Sequence, residues 1–178
     1  MELGVHGNTG EEFNAFVGRE REISEVCRIA ATTRALTLCG AGGIGKTRLA
    51  IHVAAALAPD YPDGAWFVEL AEVQHPELVV SRIAAALGVV EEPGRALIAT
   101  LADALRPRQM LIVLDNCEHV IDACARVCRR LLASSPWLRV LATSREPLRV
   151  AAETIWQVPP MAMPVREESR DATALLRS

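Results

Sequence analysis

One short stretch, Gly40-Ala41-Gly42-Gly43-Ile44-Gly45-Lys46-Thr47, constrains this chain more than any other. An apolar run, Ala35 to Cys39, precedes it, and an Ala- and Leu-rich stretch, Lys46 to Ala58, follows it and stops at Pro59. The first reads as a buried strand and the second as a helix. Glycines in the bend between them permit positive φ and put no Cβ on its concave side, so several backbone N–H groups can converge on one anion. The helix behind adds its free first-turn amides and the positive end of its dipole. Lys46 then supplies an ammonium group for the outer phosphates, and the Thr47 hydroxyl a ligand for Mg²⁺. The segment fits G-x-x-x-x-G-K-[ST] at every fixed position. The alternative, a merely Gly-rich turn between strand and helix, is disfavoured because the full pattern is rare by chance and stands between an apolar strand and an Ala-rich helix. Gly40 through Thr47, with the adjoining Arg48, are therefore the expected nucleotide contacts, and ATP or ADP with Mg²⁺ the expected ligand.

The rest of the chain alternates in the same way. Arg19 to Ala31 has apolar residues at helical spacing (Ile23, Val26, Cys27, Ala30). Gly64 to Leu70, Met110 to Leu114, Leu138 to Ala142 and Thr154 to Val158 read as strands. Pro76 to Leu87, Arg95 to Leu105 and the stretch carrying Val120, Cys124, Val127, Cys128 and Leu131 read as helices, with Pro76 in a first helical turn. Strand–helix alternation implies βαβ units, hence a parallel sheet covered on both faces, a three-layer αβα domain. After Val158 the prolines at 159, 160 and 164 break the pattern, and Asp171 can cap a helix starting at Ala172. The organisation read from this is a polar lead-in over 1–14, one nucleotide-binding domain over 15–160, and over 161–178 a linker and the start of a truncated helical region, as though more chain follows.

Hydrophobic residues make up 51% and charged residues 23% of the 178, which suits a packed core. The net charge of -3 gives no basic surface for direct nucleic-acid binding, and Arg126, Arg129 and Arg130 read as a solvated helix face. No apolar run is long enough to span a bilayer and Met1 to Gly10 is no signal peptide, so the expected location is cytoplasmic. Cys27, Cys39, Cys117, Cys124 and Cys128 match no common zinc spacing and read as small core residues.

Two further strand ends carry polar residues that a nucleotide site can use. Leu111 to Leu114 runs into Asp115, and strand C-termini gather at the ligand crevice of a parallel sheet. Asp115 can hold Mg²⁺ beside Thr47, or simply cap a helix. Asn116, next in sequence, cannot take a proton, and Glu118 is the nearest carboxylate to serve as a base or a cap. Slow hydrolysis is the expectation. Arg145 follows the strand Leu138 to Ala142 and can grip a γ-phosphate bidentately, or be an ordinary solvated arginine.

Taken in order, FVGRE (Phe16 to Glu20), GAGGIGKTRLA (Gly40 to Ala50), WFVEL (Trp66 to Leu70), VLDNCEH (Val113 to His119) and ATSREPL (Ala142 to Leu148) resemble the nucleotide-binding domain of STAND ATPases, the NB-ARC-like signalling class, as found in large bacterial transcriptional regulators. The resemblance runs from about Phe16 to Pro164. It implies a five-stranded parallel sheet of order 5-1-4-3-2, placing the Arg145 strand between those of the phosphate loop and Asp115. It implies that Phe16, Val17 and Arg19 lie against adenine, that Arg145 contacts the γ-phosphate, and that Lys46, Asp115 and Arg145 carry the chemistry. It implies a switch, closed with ADP and self-associating with ATP. The family's helical subdomain, winged helix and Gly-Leu-Pro segment are not found here. The competing functions are a small-molecule kinase, for which Arg95, Arg106 and Arg108 would be lid residues, and a non-catalytic remnant.

Overall fold

The computed structural model describes residues 18–160; the readings at Phe16, Val17, Asp171 and the 161–178 segment lie outside them. The elements run α1 (Glu20–Thr32), β1 (Ala35–Cys39), α2 (Lys46–Leu57), β2 (Ala65–Glu69), α3 (Leu78–Ala86), α4 (Leu97–Leu105), β3 (Leu111–Asp115), α5 (Ile121–Ser134), β4 (Arg139–Ser144) and β5 (Glu153–Gln157). Short 3-10 turns fill Ala58–Asp60 and Cys117–Val120. The strands form one sheet in the order β2-β3-β4-β1-β5, and every pairing is parallel. Read from the other edge this is the expected 5-1-4-3-2, with β4 between β1 and β3.

Alternation along the strands sorts the core into two layers. Leu36, Leu38, Leu111, Val113 and Leu141 pack with Val26, Leu49, Val53 and Leu57 of α1 and α2. Ala35, Ile112, Leu114, Val140 and Ala142 pack the opposite face against α3, α4 and α5, through Ile83, Leu101, Leu105, Cys124 and Cys128 among others. The central strands β1 and β3 are buried at all five positions, as strands covered on both faces must be. Cys39, Cys117, Cys124 and Cys128 are buried free thiols, Cys27 is half-buried, and among the described residues no cluster of His, Cys, Asp or Glu could hold a metal.

One local reading changes, and one crossover departs from the strand–helix alternation. Pro76 is not in the first turn of α3; the helix begins at Leu78, and Pro76 sits in the preceding turn, where its carbonyl accepts from Val79. The crossover from β4 to β5 contains no helix. Residues 145–152 return from one end of the sheet to the other as a strap, and its Leu148 and Val150 enter the core in place of a helix. The strap needs left-handed backbone at Arg149 (φ 60°) and Ala152 (φ 57°). The Glu153 carboxylate anchors it, accepting from the amides of Leu148 (2.9 Å) and Arg149 (2.8 Å) and from the Thr37 hydroxyl (2.5 Å).

Candidate functional site: a phosphate loop, a carboxylate and an arginine

The bend after β1 takes positive φ at Gly43 (78°) and Gly45 (90°), values that a side chain would strain. A Cβ added at either would meet nothing within 4 Å, so the space beside them is open. Gly45 is the N-cap of α2, and α2 has neither a side-chain cap nor an acidic residue in its first turn. Its leading amides therefore have no intrahelical acceptor, which is the condition for binding an anion there. The Lys46 ammonium lies within the bend and donates to the carbonyls of Gly40 (2.8 Å) and Ala41 (2.9 Å). Arg48 is exposed in the same first turn.

Asp115 ends β3, and its carboxylate is 1% exposed. The Thr47 hydroxyl lies 2.9 and 3.0 Å from its two oxygens, so the residues assigned to the metal are in direct contact. The Thr143 hydroxyl donates to Asp115 Oδ1 at 2.5 Å and accepts from the Asn116 amide at 3.0 Å. Burial raises the Asp115 pKa, and the hydrogen bonds from Thr143 and Thr47 work against that rise. Two hard oxygen groups side by side, a hydroxyl and a carboxylate, are a donor set suited to Mg²⁺.

Arg145 leaves the end of β4 and reaches back over the phosphate loop. A Cβ placed on Gly42 would stand 3.2 Å from Arg145 Nη2, so the guanidinium lies close against the loop at that glycine. Its Nε lies 3.4 Å from Glu118 Oε1, and the Arg145 side chain is 67% exposed. Glu118 sits in the 3-10 turn after β3 and caps no helix; its Oε2 is buried with no hydrogen-bond partner. Asn116 bends the chain there through a left-handed conformation (φ 61°).

Arg19 is buried, and its Nη2 donates to the carbonyls of Ile44 and Pro159, both at 3.0 Å. It thus ties the phosphate loop to the segment leaving β5. Arg95 pairs with Glu92 and Asp103 on the surface and Arg106 pairs with Asp103, away from the loop. The sequence reading missed Thr143 and the Arg145–Glu118 pair. One signal for Thr143 was present. Leu114 pairs with Ala142, so Asp115 and Thr143 come next at the same level and face α2 as Leu111, Val113 and Leu141 do.

A parallel sheet of this order, with a Gly-rich anion loop opening α2 and a carboxylate at the neighbouring strand end, defines a P-loop NTPase-type αβα domain. A family model described as an AAA domain matches residues 29–148, and the chain belongs to that family. A Mycobacterium tuberculosis protein provisionally named an HTH-type transcriptional regulator is 46% identical over 135 residues, covering 76% of this chain and 15% of that protein. The regulatory protein AfsR of Streptomyces griseus is 33% identical over 145 residues, covering 73% of this chain and 14% of AfsR. The chain thus spans only about 15% of the length of these regulators. In fold it is similar to a STAND protein with a tetratricopeptide repeat sensor from Pyrococcus horikoshii, with a TM-score of 0.57 at 17% identity over 83% of this chain and 24% of that one. It is similar also to the ORC2 protein of Aeropyrum pernix in its ADPNP-ADP complexes, with a TM-score of 0.55 at 14% identity over 84% of this chain and 50% of that one. Among the described residues no helix is long and apolar enough to cross a membrane.

Proposed function

We propose that this chain is a regulatory adenine-nucleotide switch domain of the STAND class, binding ATP or ADP with Mg²⁺ and hydrolysing ATP slowly if at all. The single observation that carries the reading is the meeting of three separate segments at one open bend. Thr47 touches Asp115, Lys46 lies inside the loop, and Arg145 lies over Gly42. In this reading the loop amides and Lys46 hold the phosphates, while Thr47 and Asp115 hold Mg²⁺, which when bound screens phosphate charge. Arg145, poised over the loop, distinguishes a triphosphate from a diphosphate.

Slow turnover follows from the residues around the strand end. Asn116 offers no basic oxygen, and Glu118 is engaged with Arg145. Phe16, Val17 and Arg19 would approach the adenine from the N-terminal side; for Arg19 the supporting fact is its bond to the Ile44 carbonyl of the phosphate loop. The regulatory setting is supported by the likeness to AfsR and the other bacterial regulator, while self-association with ATP follows from the STAND resemblance of the motifs and a cytoplasmic location from the make-up of the sequence.

Isothermal titration with ADP and ATP, each with and without Mg²⁺, tests the reading. Saturable binding that Mg²⁺ strengthens is expected, with turnover well below about one per second, the low end of ordinary enzymes. Absence of heat at high protein concentration would point to a non-binding remnant, and phosphoryl transfer to a small metabolite would point to a kinase.

A further inference from the structure

We propose that Thr143 is a positioning residue for the metal: its hydroxyl holds the Asp115 carboxylate in the orientation that receives Mg²⁺, and so sets the Mg²⁺ affinity of the nucleotide complex. The inference rests on the nucleotide reading above and concerns a residue that no part of the phosphate-loop pattern specifies.

The geometry separates two threonines with different freedoms. Thr47 sits in the first turn of α2, partly exposed, and its hydroxyl lies between both Asp115 oxygens. A hydroxyl has one proton and two lone pairs, so Thr47 can face a cation and Asp115 at once; at the mouth of the loop, however, its rotor is open to any arriving ligand, and its bond to Asp115 does not by itself fix the carboxylate. Thr143 is 0% exposed, one strand over on β4. Its Oγ1 gives its only proton to Asp115 Oδ1 at 2.5 Å and accepts the Asn116 amide proton at 3.0 Å. The two bonds specify the rotor: the amide can only donate, so the hydroxyl proton is left pointing at the carboxylate. That bond survives whatever Thr47 does, and it leaves Oδ2 free of Thr143. The same hydroxyl pins the left-handed turn at Asn116, from which Glu118 is presented beside Arg145. One buried side chain therefore sets the metal carboxylate and the start of the Glu118 turn together.

Thr143→Val keeps the shape and removes the hydroxyl; Thr143→Ser keeps the hydroxyl; Thr143→Cys keeps a small side chain with a weak donor. Each is compared with the parent by titrating ADP in excess EDTA and again across a Mg²⁺ series. Outer-shell partners of metal ligands are typically worth ten- to hundred-fold in metal affinity. Thr143→Val should therefore require roughly ten-fold or more extra Mg²⁺ to reach half its effect, with ADP affinity in EDTA unchanged. Thr143→Ser should restore the parent Mg²⁺ response, which a purely volumetric role for Thr143 would not do. If Thr143→Val does not fold, Thr143→Cys carries the same expectation. A Mg²⁺ midpoint in Thr143→Val or Thr143→Cys equal to the parent's, with ADP still bound, overturns this proposal alone. A Mg²⁺ loss in Thr143→Ser as large as in Thr143→Val also overturns it. A parent that binds ADP with no Mg²⁺ response at all sinks both this proposal and the metal part of the nucleotide reading.

Discussion

Asp115 and Glu153 are a matched pair with opposite fates. Each is an acidic residue at a strand end, and each takes a 2.5 Å hydrogen bond from a threonine on the adjacent strand, Thr143 for Asp115 and Thr37 for Glu153. They lie at opposite ends of the sheet, because Asp115 ends β3 and Glu153 begins β5. What differs is the rest of their partners. Glu153 accepts two backbone amides, from Leu148 and Arg149, and so is saturated by groups that cannot turn away. Asp115 is completed by Thr47, a hydroxyl at the mouth of an open loop that can turn away to a ligand. The lesson is that a carboxylate's function is set less by its burial than by whether its donors are free to leave.

The same substitution at both sites makes this measurable. In Glu153→Gln one oxygen becomes an NH₂ group facing amide donors, and amides cannot reverse to accept. The Gln oxygen can keep Leu148 and Thr37, which leaves the exposed Arg149 amide unpaired and the other bonds without charge assistance, so urea unfolding should show a loss of about 1–2 kcal/mol. Asp115→Asn presents its NH₂ group to the Thr47 hydroxyl, which can rotate and accept, while Oδ1 keeps Thr143. Its stability should change by less than about 1 kcal/mol, while the Mg²⁺ dependence of nucleotide binding is lost and Mg²⁺-free binding is largely spared. Equal losses of stability at the two sites would break the comparison.

Lys46→Ala sharpens it from the ligand side. Lys46 donates only to the loop carbonyls of Gly40 and Ala41, which keep access to solvent when it is gone. The fold should tolerate its loss, but ATP affinity should fall by about 2 kcal/mol, roughly thirty-fold, for a charge-assisted contact. ADP, lacking the outer phosphate, should lose less. ATP binding as tight as the parent's would put the phosphates somewhere else.

How much of this the chain disclosed before folding follows from the range of each interaction. The phosphate loop, the five strands and the Asp115 strand end are local patterns, and the strands fall within a residue or two of where those patterns put them. Sheet order came from the family resemblance, because no local rule says that β4 inserts between β1 and β3. Thr143 and the pairing of Glu118 with Arg145 escaped for that same reason: Thr143 meets Asp115, 28 residues away, and Glu118 meets Arg145 on a different strand end. The strap escaped differently. Leu148 and Val150 have strand-like alternation, but what makes them a helix substitute is the length of 145–152 and the remote anchor at Glu153. Arg19 was assigned to adenine by resemblance; what the structure gives it is a pair of bonds to Ile44 and Pro159 that fix the loop against the exit of β5.

The smallest effect is expected at Glu118, where the comparison between fixed and departing partners recurs in an ion pair. Glu118 Oε1 holds Arg145 at 3.4 Å over the loop, and an outward-facing pair of this kind is worth only about 0.2–1 kcal/mol. If Arg145 must leave Glu118 to reach a γ-phosphate, Glu118→Gln should raise ATP affinity relative to ADP by at most about five-fold, the upper end of what that energy range allows. ADP affinity itself should not move. Removing a negative charge near the phosphates would favour ATP even without any exchange, so the same substitution is repeated in Arg145→Ala. An exchange requires the gain to shrink in that background, because the two residues then no longer couple. A gain of the same size with and without Arg145 would reduce Glu118 to a repelling charge and leave the guanidinium free of any latch.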